Sequence, residues 1–197
     1  EIAELRRNRA VAGEALYRLI DLAKPAQART AVAHADLFWK EYAADSPYKA
    51  QVAVAQVPAF TASGRGEEAL SRLSGMIVET AAAPDAPGIR ELVNAYTAAY
   101  LGKHGPEELR EHYRKFPGIL ADDKRVRPLL RVAVIGAFEE AAATSSDAGK
   151  PALAATIKEL FQELKTEFAA QDLADFILVR IGDYLRLKTS TPREALP

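Results

Sequence analysis

Gly64-Arg65-Gly66-Glu67-Glu68-Ala69-Leu70 is the stretch that decides how the chain is read. Two glycines flank one residue and stop a helix. Two carboxylates follow where the first turn of the next helix belongs, and Ala69 and Leu70 open its apolar stripe. The signal recurs. A Pro or Gly followed three places on by Ala or Leu stands at Pro25/Ala28, Gly66/Ala69, Pro106/Leu109, Pro151/Ala154 and Pro192/Ala195, at spacings of 41, 40, 45 and 41 residues. A second series of breakers, Pro47, Pro87, Pro128 and Asp172, lies 21 or 22 residues after each of the first four. One series divides the chain into repeats; the other divides each repeat into two helices. Such a period marks a solenoid in which each helix pair buries its apolar face against its neighbours. The expected fold is therefore all-α: a right-handed array of antiparallel helix hairpins, with four to five repeats of roughly 40–45 residues in one domain over 1–197.

Composition agrees. The 197 residues are rich in Ala and carry 11 Gly and 11 Pro, which favours helix over strand. Lys and Arg number 26 against 27 Asp and Glu, so no global field draws the chain to nucleic acid or to a membrane surface. The absence of cysteine removes disulfides, thiolate metal sites and cysteine nucleophiles. No run approaches the roughly 18 apolar residues of a bilayer span. The chain starts at Glu1 rather than Met and stops at Pro197 shortly after a helix start. It is read as an internal piece of a longer polypeptide.

Helices are predicted over 2–22, 26–42, 47–63, 67–80 and 88–101, each ended by Pro, Gly or a polar cluster. Pro58 falls inside the third and is expected to kink or shorten it. The third repeat is irregular: a helix from Glu107 meets Phe116-Pro117-Gly118 after about ten residues, and 119–127 must reconnect without a long helix. Helices over 128–143, 152–169 and 172–187 follow, with Asp172 as N-cap. A last helix opens at Pro192.

Asp45-Ser46-Pro47-Tyr48-Lys49-Ala50, followed by the Gly64–Leu70 stretch, resembles tetratricopeptide repeats, with Ala69, Leu73 and Pro84 at the small, bulky and terminating positions. Ile181-Gly182-Asp183-Tyr184-Leu185 followed by Pro192-Arg193-Glu194-Ala195-Leu196 resembles the same family, Gly182 standing where two helices cross closely. Phe38-Trp39-Lys40-Glu41-Tyr42 together with Asp45–Tyr48 looks like the bacterial periplasmic branch of TolA-binding type. The resemblance covers about half of the chain. It implies a protein–protein interaction scaffold and a periplasmic or otherwise extracytoplasmic location. The departures are a period above the family's roughly 34 residues, Ala53 where a large aromatic is usual, and Val57-Pro58 where a small residue is usual. Armadillo or HEAT repeats fit the period better and the turns worse.

Few residues invite chemistry. Glu108 and His112, at i and i+4, share a helix face that could hold a metal, and an all-helical metal-binding or enzymatic domain centred on them is the alternative function. An exposed amphipathic helix with i,i+4 ion pairs explains the same residues. Glu67-Glu68 and Glu107-Glu108 are explained by the dipole at helix starts. No phosphate loop or nucleophile elbow is present. Arg110, Arg114, Lys115, Lys124, Arg125, Arg127 and Arg131 form a local basic cluster, but Glu107, Glu108, Glu111, Asp122 and Asp123 interleave with it, which reads as a mixed-charge face.

The expected function is a non-catalytic interaction scaffold needing no cofactor or metal. Its partner is another protein or peptide, with no nucleic acid and no membrane insertion. Aromatics on the first helix of each pair, with Gln51, Asn94, Arg131, Asp183 and Arg186 as polar neighbours, are the candidates for lining a partner-binding groove. Leu178, Leu185 and Leu196 would form an uncapped apolar end through which the chain self-associates.

Overall fold

The computed structural model describes residues 2–83, 88–115, 125–168 and 175–188. All regular structure among them is helical. The chain divides into two compact units, Glu1–Lys103 and His104–Pro197. The boundary falls inside the third expected helix pair. No described helix is long and apolar enough to cross a membrane.

The first unit contains α1 (Ile2–Asp21), α2 (Ala28–Glu41), α3 (Lys49–Ala55), α4 (Val57–Ala62), α5 (Gly66–Ala81) and α6 (Ile89–Leu101). A 3-10 turn at Pro25–Gln27 leads into α2. The helix expected over 47–63 is two helices. Pro58 stands in the first turn of α4, and the chain breaks at Gln56 just before it. The physical reason is the missing N–H and the clash of the proline ring with the preceding turn. The helices lie side by side: α1 on α2, α3 on α1 and α5, α4 on α2 and α5, and α6 on α5. Their shared interior holds Phe38, Phe60, Leu73, Ile77 and Leu92, all fully buried.

The turn from α4 to α5 uses the glycine pair as expected. Gly64 adopts φ +75°, its N–H donates to the Thr61 carbonyl at 3.1 Å, and the Arg65 N–H reaches back to Phe60 O at 2.8 Å. This is the Schellman arrangement, which needs a left-handed residue at the position of Gly64.

The second unit contains α7 (Pro106–Arg114), α8 (Val126–Thr144), α9 (Lys150–Glu167) and α10 (Asp175–Lys188). Helix α8 contacts each of the other three, and Val134, Ile135 and Phe138 are its buried centre. It begins two residues before Pro128, which is tolerated there because N–H groups of the first turn have no intrahelical acceptor. Phe161 of α9 stacks on Tyr184 of α10 with ring centroids 3.9 Å apart. The reconnection expected over 119–127 lies outside the described residues as far as 124, as do the Asp172 cap and the helix expected at Pro192.

Two glycines on neighbouring elements should respond to alanine with opposite signs. Gly64→Ala places a Cβ on a left-handed residue and should cost about 1 kcal/mol. Gly75 lies exposed inside α5 with nothing within 4 Å of a Cβ placed there, so Gly75→Ala should add up to about 1 kcal/mol. Urea unfolding of both variants checks the pair.

Candidate functional site

Gln56 is fully buried at the break between α3 and α4. Its Oε1 accepts hydrogen bonds from Trp39 Nε1 and from Arg72 Nη1, both at 2.9 Å. Both partners are donors only, so the amide must present its oxygen to them. Arg72 Nη2 also donates to Asp36 Oδ1 at 2.9 Å and to Glu68 Oε1 at 2.5 Å. Arg65 grips the same Asp36 with two donors, at 2.7 and 3.1 Å. Both guanidinium groups lie over the Phe60 ring, at 4.6 and 4.8 Å from its centroid. Arg65 first, and Arg72 after it, hold the Asp36 carboxyl below its ordinary range. This knot ties α2, α4 and α5 together around the bend.

The bend sets α3 as the floor of a cleft of about 700 Å³. Ser46 starts α3: its Oγ accepts the Tyr48 N–H at 3.2 Å, and the helix begins at Lys49, two residues after the expected start at Pro47. Tyr48 stacks on Tyr17 with centroids 5.6 Å apart, which fixes the α1 wall. The floor is made of small side chains, Ala50, Val54 and Ala55, and Met76 of α5 and Leu92 of α6 close the far side. Lys49 crosses the rim to Glu79 at 2.8 Å. Asp21 and Glu91 line the cleft too. Both are exposed, and neither has an ion-pair or hydrogen-bond partner among the described residues.

No family model, curated protein or solved structure matches the chain. The tetratricopeptide resemblance therefore rests on the sequence motifs alone.

Of the five partner-binding candidates, Gln51 and Asn94 belong to the first unit and Arg131, Asp183 and Arg186 to the second. Gln51 is exposed on α3 and lines the cleft. Asn94 is exposed on α6 and is not among the lining residues. Arg131 is half-buried on α8 and donates from Nε to Glu167 Oε2 at 3.1 Å. Asp183 is exposed on α10, and the Arg186 side chain lies outside the described residues. Leu178 is exposed on α10, next to an exposed Val179; the Leu185 side chain and Leu196 are outside the described residues.

The basic cluster meets carboxylates that the sequence reading did not pair with it. Glu159, Glu163 and Glu167 repeat every four residues along α9. Arg110 of α7 reaches Glu159 at 3.3 Å and Glu163 at 2.9 Å, and Arg127 and Arg131 of α8 both reach Glu167. Burial disfavours the charge of Arg110, but the two glutamates more than offset it and leave its pKa raised. Arg114 uses a local partner, Glu111 at 2.8 Å, as well as Glu163 at 4.0 Å.

Glu108, the expected metal ligand, is engaged at the start of α7. Its Oε2 accepts the Gly105 N–H at 2.9 Å and lies 3.6 Å from His104 Nδ1. Burial, and then the charge of His104, push His112 below its ordinary 6.5. No group of three or more metal-ligating side chains occurs among the described residues. The residues missed from sequence are Asp36, Gln56 and Arg72. Their one local signal is the i, i+3, i+7 spacing of Arg65, Glu68 and Arg72.

Gln56→Leu should lower stability by about 2 kcal/mol, because the Trp39 and Arg72 donors lose a buried acceptor. Chemical unfolding checks this. For His112 the unfolded chain binds a proton more readily than the folded one, so stability falls as pH drops below about 6.5 and levels off below the folded value. The melting temperature should fall between about pH 7 and 5, less steeply in His112→Gln.

Proposed function

We propose that this chain is a non-catalytic protein–protein interaction module, with the cleft over α3 as its recognition surface. The observation that carries the proposal is the cleft itself: an open, mainly apolar depression floored by small side chains, with two unpaired carboxylates at its edge. Sites that take a peptide or a partner helix combine apolar contact with a few polar anchors in this way. The scaffold in this reading is a right-handed array of antiparallel hairpins of tetratricopeptide-like type. The breaker period and the side-by-side packing of helices near one another in sequence in the first unit support it. The engagement of Glu108 at the start of α7 weighs against the alternative centred on Glu108 and His112.

The test is binding with the cleft filled. Ala50→Trp places an indole on the floor, and circular dichroism melting confirms that the variant folds. A protein captured by the wild-type chain is purified and titrated against both. The proposal expects at least about tenfold weaker binding to the variant, the loss typical of a blocked hot spot. Equal binding by both would remove the cleft from the account.

A further inference from the structure

The cleft carries charge as well as shape. Among its lining residues are three carboxylates, Asp21, Glu79 and Glu91, and one ammonium, Lys49. Lys49 is taken by Glu79 at 2.8 Å. Three negative charges against one positive leave two, held by Asp21 and Glu91. The whole chain has a formal charge of −1, so this acidity is local to the cleft rather than a sign of the general field.

Asp21 is the more telling of the two. It is the last residue of α1, where free carbonyls and the negative end of the helix dipole disfavour a carboxylate. The nearby cation on the same helix, Arg18, is paired with Glu14 at 2.9 Å instead. Asp21 therefore stands against the local field with no ion pair or hydrogen bond among the described residues to offset it. Tyr17 lies one helical turn earlier, so ring and carboxylate share the face that lines the cleft. A carboxylate beside an aromatic ring is a receptor for a guanidinium or ammonium group. Glu91, in the first turn of α6, is accounted for by its own helix dipole but remains free to pair across the cleft.

We infer that the occupant of this cleft is a cationic amphipathic segment of another protein: apolar side chains on the Ala50–Val54 floor, one Lys or Arg against Tyr17 and Asp21, and a second toward Glu91. This rests on the reading of the cleft as a recognition surface and adds the chemistry of the partner. Apolar contact supplies most of the affinity, and the two carboxylates select against neutral and acidic segments of the same shape.

The experiment is selection of a displayed library of random 16-residue peptides on the full chain, in parallel with Ala50→Trp and with the double variant Asp21→Lys/Glu91→Lys. The double substitution lies on exposed positions, and melting curves establish that both variants are folded. The expected result is enrichment of peptides with Lys or Arg flanking apolar residues. These peptides should be lost on Ala50→Trp and weakened about fivefold or more on the double variant, as for two partly exposed ion pairs turned repulsive. Peptides lost on Ala50→Trp but without basic bias, or indifferent to the double variant, would overturn the charge inference and leave the cleft standing. Peptides that bind Ala50→Trp as well as the wild type, or no enrichment at all, would overturn both.

Discussion

The side-chain oxygen of Gln56 is the point on which the first unit depends. It sits where Pro58 denies the chain a continuous helix, in a place closed to water. A break in the backbone at a buried position is costly unless polar groups around it are satisfied. Trp39 from α2 and Arg72 from α5 meet there on one acceptor. The amide thereby joins three elements that are distant in sequence. Asp36 and Glu68 neutralise the arginine, and Phe60 provides a ring for it to lie on. With that bend held, α3 lies low between its neighbours, and small side chains on it leave the cleft open.

Charge has a consistent arrangement in both units. In the first, Asp36, Arg65, Glu68 and Arg72 close on one another; in the second, the glutamates of α9 meet arginines from α7 and α8. Most of these pairs are partly exposed, so each adds little to stability by itself. Their effect is to fix which helix faces which, because a shifted helix would separate several pairs at once. Asp21 and Glu91 at the cleft take part in none of these pairs.

The parts of this architecture written in local sequence were legible. Gly66 and Pro106 begin α5 and α7, Pro151 stands in the first turn of α9, and Pro25 introduces α2. Proline and glycine act on their own backbone, so their meaning needs no tertiary context. Pro58 was legible for the same reason. The Gln56 knot was not, because its partners lie 16 and 17 residues away along the chain, and a buried glutamine before a proline looks like any polar helix residue. Arg131 illustrates the same limit. It was named as a polar neighbour of the expected groove, and its carboxylate partner, Glu167, stands 36 residues further on and was not foreseen. The boundary between the two units falls inside the third expected pair, the one whose sequence is irregular.

The most direct test of this account is hydrogen exchange at the indole N–H of Trp39, the only tryptophan in the chain and so a single resonance in a nitrogen-correlated spectrum. If that proton is bonded to the buried Gln56 oxygen, it should exchange at least about a hundredfold more slowly than a free indole, opening only with the surrounding helices. Exchange at the rate of an exposed indole would mean that the knot does not hold α2 to the bend, and the basis for the cleft would be lost with it.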